Sequence, residues 1–265
     1  MLHLYHGKTS VCSAKVRVGL AELELDWTGQ ILDLGHGEQN EDWYLALNPK
    51  GVVPTLIDDE LVVVESSVIL EYLAATAGAF LMPSDPRECI RAKMWLSDCI
   101  DVHAAINTMT FATSKRRQIL ASKTPAQIAS SIARMANPAN ANKRREILTN
   151  GIDSEHVVSA FFALTMLFDK MERALASSTW LLGDHYTLAD TSLIAYVDRL
   201  ARLGLSGMWT ESAPSVTRWL ANSRDRASYS TAIKNYAGPP EEESAAESAG
   251  KNWEQVARKW AAFNA

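Results

Sequence analysis

The stretch NPKGVVPTL, from Asn48 to Leu56, places a proline directly before a short apolar run. Proline has no backbone N–H to give to a sheet, so within a strand pattern it belongs at the first residue or at an edge. The residues that follow, PTLIDDELVVV, form two apolar runs around Asp58-Asp59-Glu60. This pattern predicts two strands joined by a tight turn, with Pro54 opening the first strand of the hairpin.

Upstream of this hairpin the pattern alternates between strand and helix. LHLY near the N-terminus and WTGQILD at 27–33 predict strands, with an amphipathic helix over 11–23 between them. In that helix Lys15 and Arg17 lie between the apolar positions. Further helices are predicted over 41–47 and 65–75. The order β-α-β-α-β-β-α allows a parallel βαβ unit followed by an antiparallel hairpin.

Beyond residue 80 the pattern changes to helix. MPSDPRE, with its two prolines, predicts a linker. The polar segment over about 114–153 predicts helix in pieces, and the acidic stretch 238–250 has the composition of a mobile linker. The remaining segments with helical spacing are 89–114, 154–175, 187–203, 214–223 and a C-terminal helix that carries Trp253, Val256, Trp260 and Phe263.

Composition narrows the range of functions. The 265 residues carry a net charge of −5, so there is no basic footprint for nucleic acid. No apolar run approaches the ~18 residues of a membrane span, and the N-terminus lacks the features of a secretory signal. The three cysteines are an odd number without metal-ligand spacing. We therefore expect a cytoplasmic protein without membrane, nucleic-acid or metal partners.

A second motif, VVESSVILEYL, places Glu65-Ser66 where the last strand ends and a helix begins. A helix N-terminus has free N–H groups and a positive dipole end, which suit a carboxylate. Ser66 can bond to the same ligand, and Glu65 can bind an ammonium group. One short site would then hold both charged groups of an amino acid. The alternative is that Ser66 is an ordinary N-cap.

Together these motifs resemble the glutathione transferase superfamily over most of the chain. The matching features are the turn with a thiol and hydroxyls after the first strand, NP-x-G-x-VP-x-L, ES-x-x-I-x-x-YL and a helical second half. GDHYTLADTSL also matches, since Thr187 to Asp190 is a capping box like one in that family. The resemblance implies an α+β fold, with an N-terminal thioredoxin-like βαβαββα domain (1–80) followed by an all-α helical-bundle domain (88–235). Residues 238–265 would be an acidic linker and a C-terminal helix.

The resemblance also implies that glutathione binds to the first domain. Pro54 would be cis, and Val53 beside it would pair with the cysteinyl backbone of the tripeptide. Glu65 and Ser66 would hold the γ-glutamyl group, and Lys50 could reach the glycyl carboxylate. The co-substrate is glutathione, no metal is expected, and homodimerisation follows from the family.

The stretch TSVCSAK, Thr9 to Lys15, supplies the candidates for thiol activation. It resembles the turn SSCS-x-RVR of zeta-type transferases, with Ser10 at the first serine, where a helix N-terminus and a hydroxyl stabilise the glutathione thiolate. S-V-C-S-x-K also resembles the glutathione-dependent reductive dehalogenases of chlorinated hydroquinones. By that resemblance Cys12, with a pKa lowered at the helix N-terminus, removes glutathione from an aromatic adduct, and Ser13 activates glutathione. Ser10, Cys12 and Ser13 therefore compete for the catalytic role.

The second domain would form an apolar pocket for a small-molecule electrophile. Trp95, Cys99, His103 and Ile106 lie on one side of its first helix, although His103 is interpreted as a core or surface histidine. The basic triplets 115–117 and 143–145 are interpreted as solvated helix faces.

The sequence thus predicts a glutathione transferase whose thiolate attacks an electrophilic aromatic substrate, in detoxification or in aromatic compound degradation. Two alternatives stay open. The first is glutathione-dependent β-aryl-ether cleavage or reductive dehalogenation, since bacterial β-aryl-etherases resemble this chain in their long helical insertion. The second is a non-catalytic transferase-fold binding protein.

Overall fold

The computed structural model describes residues 1–77, 80–237 and 242–265. In this part of the chain the sheet is mixed and runs in the order β2-β1-β3-β4. Its strands are β1 (Leu2–Gly7), β2 (Trp27–Leu32), β3 (Thr55–Asp58) and β4 (Leu61–Val64). β1 pairs parallel with β2 and antiparallel with β3, and β3 forms a hairpin with β4. The predicted βαβ unit followed by an antiparallel hairpin is confirmed.

Helices account for most of the remaining chain. The N-terminal domain has α1 (Val11–Glu22), α2 (Asp42–Leu45) and α3 (Ser66–Thr76). The C-terminal domain has α4 (Pro86–Ala112), α5 (Ser114–Ser122), α6 (Pro125–Ala133), α7 (Pro138–Asn150), α8 (Glu155–Leu175), α9 (Leu188–Arg202), α10 (Pro214–Arg224), α11 (Ala227–Tyr229), α12 (Asn235–Ala237) and α13 (Glu242–Phe263). Among the described residues, none of these helices is long and apolar enough to cross a membrane.

The start of α4 differs from the prediction, because Pro86 belongs to the helix rather than to the linker. Asp85 is the N-cap, and its carboxylate accepts hydrogen bonds from the N–H groups of Arg87 and Glu88, both at 3.0 Å. Proline suits the first turn of a helix, where its missing N–H would have no partner anyway. The pair of prolines therefore marks the beginning of a helix as well as the end of a loop.

The predicted polar face of α1 is not exposed, and this expectation was wrong. Lys15 and Arg17 are fully buried, because helices of the second domain cover the side of α1 that faces away from the sheet. The Arg17 guanidinium donates hydrogen bonds to the carbonyls of Ala232 (2.9 Å) and Gly7 (3.3 Å), and lies 3.9 Å from the Tyr236 ring centroid. Arg17 therefore ties the first strand to the chain just after α10.

Helix α9 forms the centre of the C-terminal domain, and the predicted capping box at its start is present. The Asp190 carboxylate is fully buried and accepts hydrogen bonds from the backbone N–H of Thr187 (3.0 Å) and of Leu181 (3.0 Å). It also accepts one from Trp219 Nε1 at 2.8 Å. Asp190 thus joins the start of α9, the preceding loop and α10.

The C-terminal segment contains more helix than its composition predicts. Helix α13 begins at Glu242, so most of the acidic stretch predicted as a mobile linker is helical. Residues 78–79 and 238–241 lie outside the described residues. A Cβ on Gly207 would lie 2.2 Å from the Trp253 ring, and the Trp260 ring meets Phe161 edge-on at 5.1 Å between centroids. The apolar face of α13 therefore docks on the helical domain, as predicted.

We expect Asp190→Ala to lower the free energy of unfolding by about 3 kcal/mol or more, because it leaves several buried donors without a partner. Chemical denaturation followed by tryptophan fluorescence measures this loss. Asp184→Ala is the matched control, since Asp184 is exposed six residues earlier and should change stability little. Equal stability losses in the two variants would contradict the role assigned to Asp190.

Candidate active site

The loop before β3 has a conformation fixed by local hydrogen bonds. The Val53–Pro54 peptide bond is cis. The Val52 carbonyl accepts hydrogen bonds from Asn48 Nδ2 at 2.8 Å and from the Tyr44 hydroxyl at 2.7 Å. The side chains of Asn48 and Tyr44 are both fully buried, so they anchor the loop from below. The expected cis-proline turn is therefore present.

The start of α3 carries the second predicted binding element. The helix begins at Ser66, and Glu65 before it has a φ of 68°, in the left-handed region that side chains rarely adopt. The Glu65 carboxylate meets Lys50 Nζ at 2.5 Å, and both side chains are largely exposed. Lys50 and Glu65 are therefore neighbours in this structure, whereas the sequence prediction assigned them to opposite ends of the tripeptide.

The N-terminus of α1 separates the three catalytic candidates by burial. Ser10 is the N-cap and half-buried, and its Oγ accepts a hydrogen bond from the Ser13 N–H at 3.3 Å. Ser13 is fully buried, and its Oγ accepts a hydrogen bond from the Gly7 N–H at 3.1 Å. Ser13 thus stabilises the turn between β1 and α1, while Ser10 and Cys12 lie closer to the surface.

The Cys12 sulfur lies among groups that favour the thiolate. It is 3.6 Å from the Tyr196 hydroxyl of α9 and within hydrogen-bonding range of His103 of α4. Burial raises the pKa of Cys12, but the charge and hydrogen bond of His103, the Tyr196 hydroxyl and the Lys15 charge together lower it to about 7. Conversely, burial lowers the pKa of His103, and the facing Cys12 thiolate raises it above its usual value. Cys12 and His103 therefore each favour the charged form of the other.

Lys15 connects this sulfur to the start of α3. Its ammonium group donates a hydrogen bond to Ser67 Oγ at 2.6 Å and lies 5.9 Å from the Tyr196 ring centroid. The sulfur of Cys12 in α1 therefore lies next to side chains of α4 and α9, and Lys15 connects this region to α3.

The sequence prediction missed two residues of this site. His103 was interpreted as a core or surface histidine, but its ring centroid lies 6.3 Å from that of Tyr196, beside Cys12. Tyr196 was not singled out, although a tyrosine that follows the apolar run Leu193 to Ala195 in a predicted helix was a usable signal. Of the other predicted pocket residues, Trp95 is covered by Lys170 of α8 at 3.9 Å, and Cys99 is buried with a pKa raised by that burial.

The basic triplets are not simple solvated faces, which corrects that interpretation. The Arg116 side chain donates hydrogen bonds to the carbonyls of Leu148 (2.9 Å) and Thr149 (3.1 Å). The Arg144 guanidinium lies 3.1 Å from the Phe111 ring centroid. The segment that contains α5, α6 and α7 folds back on α4, and this packing half-buries several of its cations.

Two family models match the chain. The N-terminal domain of glutathione S-transferases matches residues 9–76, and the C-terminal domain of the same family matches residues 163–222. The first match spans the turn after β1, the cis-proline loop and the start of α3, and the second spans the capping box of α9. Within the described residues, no group of three histidine, cysteine or acidic side chains could hold a metal ion.

Similar proteins cover nearly the whole chain. Tetrachloro-p-hydroquinone reductive dehalogenase of Sphingobium chlorophenolicum is 27% identical over 242 residues, which are 86% of this chain and 94% of that protein. Glutathione S-transferase TCHQD of Arabidopsis thaliana is 26% identical, over 89% of this chain and 90% of that protein. The crystal structure of the beta-etherase LigF from Sphingobium sp. strain SYK-6 has a TM-score of 0.79 at 26% identity, covering 88% of this chain and 99% of that one. The chain therefore resembles the glutathione S-transferase family in both of its domains and in its fold.

Proposed function

We propose that this protein is a glutathione transferase in which the glutathione thiolate attacks an aromatic electrophile. The observation that carries the proposal is the half-buried Cys12 sulfur, which lies beside Tyr196 and His103. Cys12 belongs to the first turn of α1, whose N-cap is Ser10. The start of α3, which is expected to bind the tripeptide, is connected to this region by the hydrogen bond from Lys15 to Ser67. The names of similar proteins, a hydroquinone dehalogenase and a beta-etherase, support an aromatic substrate.

Glutathione would lie along the cis-proline loop and the start of α3. Its cysteinyl backbone would pair with Val53 beside Pro54, and its γ-glutamyl carboxylate would meet Ser66 and the free N–H groups of α3. The γ-glutamyl ammonium would bind Glu65 in place of Lys50. An exposed ion pair contributes about 1 kcal/mol or less, so the exchange costs little and frees Lys50 for the glycyl carboxylate.

Ser10 is the donor that we assign to the glutathione sulfur. Its Oγ accepts the Ser13 N–H, so its own hydrogen is free to point toward a ligand. A thiol of pKa ~8.5 is mostly protonated at neutral pH, and a hydroxyl at a helix N-terminus stabilises its thiolate. The thiolate forms a C–S bond with the aromatic carbon, and a halide or aryloxide leaves with the electron pair of the broken bond. The thiol proton passes to solvent.

A second activity is favoured by the lowered pKa of Cys12. The Cys12 thiolate would attack the sulfur of a glutathionyl hydroquinone, forming a Cys12–glutathione disulfide. The aromatic carbon leaves with the electron pair and takes a proton. A second glutathione thiolate then releases oxidised glutathione and restores Cys12. The net reaction reduces the aromatic adduct and oxidises two glutathione molecules to one disulfide.

Substitutions at Ser10 and Cys12 distinguish conjugation from the removal of glutathione from an aromatic adduct. We expect Ser10→Ala to slow conjugation of an aryl chloride by about 10²-fold, the usual contribution of one positioned donor. Cys12→Ala should keep most of that conjugation but accumulate the glutathionyl adduct when a chlorinated hydroquinone is supplied. Steady-state rates and mass spectrometry of the products measure both effects.

Other outcomes of that experiment are equally informative. Loss of aryl chloride conjugation in Cys12→Ala, with Ser10→Ala unaffected, would make Cys12 the activating group and refute the assignment of Ser10. Wild-type protein that binds glutathione but forms no conjugate with any aromatic electrophile would refute the enzymatic proposal. The protein would then bind glutathione without catalysing its transfer.

The thiolate of Cys12 should be detectable by its pH dependence. In a Cys89→Ser background, alkylation by iodoacetamide should reach half its maximal rate near pH 7, because the thiolate forms as pH rises through the pKa of about 7. His103→Asn removes the facing positive charge, so the midpoint should rise by about one pH unit or more. His185→Asn is the control, since His185 is exposed. A wild-type midpoint at ~8.5, the value of a free thiol, would contradict the pairing.

We also propose that the protein is a homodimer through the outer face of α4 and α8. Val158, Phe162 and Met166 follow one another at helical spacing on α8 and are each more than half exposed. With α4 they border a groove of about 750 Å³. An apolar face of this kind on a folded surface is typical of an interaction site.

Domain boundaries at 1–80, 88–235 and 238–265, a cytoplasmic location and a role in detoxification stay predictions.

The dimer has a direct test. Phe162 is 62% exposed, so Phe162→Arg should leave the fold intact but place a charge in the interface. We expect wild-type protein to sediment as a dimer and Phe162→Arg to shift toward the monomer by at least about tenfold in dissociation constant. Leu120→Arg on α5 is the control, because Leu120 is 48% exposed away from this groove. A monomeric wild type would contradict the proposal.

A further inference from the structure

The surface next to Cys12 continues along α4 and α9 beyond His103 and Tyr196. On α4, Asn107 and Phe111 follow His103 at intervals of four residues and therefore lie on its face. On α9, Arg199 follows Tyr196 by three residues, about 4.5 Å further along the helix axis. Phe111 and Arg199 are half-buried, so this face reaches solvent.

Arg144 of α7 covers the α4 side of this surface. Its guanidinium lies 3.1 Å from the Phe111 ring centroid, and Nη2 donates a hydrogen bond to Asn107 Oδ1 at 3.5 Å. The aromatic ring fixes the plane of the guanidinium and leaves its other N–H groups available. Burial lowers the pKa of Arg144 to about 10, and no acidic side chain offsets that burial.

Lys115 and Arg199 add two further cations without carboxylate partners among the described residues. The two side chains are half-buried and close enough for their charges to repel. Burial lowers the pKa of both groups, that of Arg199 to about 10. Asp198 is close to Arg199, but its carboxylate is already bound by Arg202 (2.6 Å) and Arg224 (2.7 Å). We refer to Phe111, Lys115, Arg144 and Arg199 as the acceptor face.

Elsewhere in the described chain several arginines are matched by carboxylates, whereas Arg17 and Arg116 bind backbone carbonyls. Arg202 and Arg224 share the fully buried Asp198, and Arg226 meets Glu22 at 2.5 Å. A buried charge without a counterion costs several kcal/mol, so such matching is the rule in folded proteins. The acceptor face groups three cations without a carboxylate of their own among the described residues, at the place where the proposed reaction needs its second substrate.

We propose that the acceptor face binds an anionic substituent, a carboxylate, on the aromatic electrophile. Phe111 holds the Arg144 guanidinium in place, and the forks of Arg144 and Arg199 bind the carboxylate oxygens. Lys115 adds a third positive charge. The reacting carbon of the substrate then lies toward the glutathione sulfur beside Ser10 and Cys12. This inference rests on the proposed function for its orientation, but binding of the anion can be measured without turnover.

The experiment compares two pairs of compounds that differ only in charge. 4-Chloro-3-nitrobenzoate and 4-chloro-3-nitrobenzamide are electrophiles whose conjugation is followed as kcat/KM. 3-Nitrobenzoate and 3-nitrobenzamide lack the leaving group, so isothermal titration calorimetry reports their binding alone. The wild-type enzyme should bind the nitrobenzoate about tenfold or more tighter than the amide, as expected for charge-assisted hydrogen bonds.

Variants locate the effect. Arg144→Gln and Arg199→Gln should each reduce the preference for benzoate over amide by about tenfold, whereas Arg199→Lys should restore part of it. Arg145→Gln is the matched control. Arg145 is exposed next to Arg144 and its guanidinium donates a hydrogen bond to Asn142, so the preference ratio of this variant should equal that of the wild type. Thermal unfolding of each variant shows whether it is folded. Where a glutamine variant is unfolded, the preference of Arg199→Lys for benzoate over amide is compared with that of the wild type. A reduced preference supports the anion site, and an unchanged one contradicts it.

Each outcome bears on one proposal. Equal binding of the nitrobenzoate and the amide by the wild-type enzyme would overturn the anion site, whatever the turnover. A preference that persists unchanged in both glutamine variants would also overturn it. Tight, arginine-dependent binding of the nitrobenzoate without conjugation of either chloride would support the anion site and refute the proposed function. A preference in both binding and kcat/KM, lost in Arg144→Gln and Arg199→Gln, supports both.

Discussion

The buried carboxylate of Asp190 is the constraint on which the rest of the structure depends. It holds the first turn of α9, the loop at Leu181 and the indole of Trp219 in α10 through hydrogen bonds of 2.8–3.0 Å. Burial raises the pKa of this carboxyl, and the surrounding donors act in the opposite direction. Because α9 packs against both α1 and α4, its position decides whether the Tyr196 hydroxyl reaches Cys12. The geometry of the candidate active site therefore depends on a folding motif that lies outside it.

The pKa of Cys12 depends on the side chains that helix packing places around its sulfur. Lys15 is fully buried and its hydrogen-bond partner is the neutral Ser67, so its charge stays available to the thiolate. His103 in its charged form also lowers the pKa of Cys12, and the Tyr196 hydroxyl lies 3.6 Å from the sulfur, where it can donate to the thiolate. A buried thiol alone would have a raised pKa, as Cys99 does on the same helix face as His103. The pKa of Cys12 is lowered although burial raises it, so the charges and hydroxyl of its neighbours outweigh burial at Cys12 but not at Cys99.

The sequence predicted the parts of the fold and site that depend on residues close together in the chain. The cis-proline turn, the helix start at Ser66 and the capping box of α9 each occupy fewer than ten residues, and their chemistry is readable from residue types. His103 and Tyr196 could not be predicted in this way, because they reach Cys12 only through the packing of distant helices. Lys15 and Arg17 were misread for the same reason: periodicity shows which face is apolar, but not that a second domain covers the other face.

The same distinction separates the two ends of the proposed active site. The glutathione end uses the loop at Val53–Pro54 and the start of α3, both built within the first domain and matched by a family model. The aromatic end uses side chains from α4, α7 and α9, and Arg144 comes from the polar segment between the two family matches. A substitution in that segment changes the charge offered to the second substrate without touching the loop that holds glutathione. Relatives that share the glutathione end can therefore differ at the aromatic end. The preference of this protein for an aromatic substrate has to be argued from the cations of its own acceptor face.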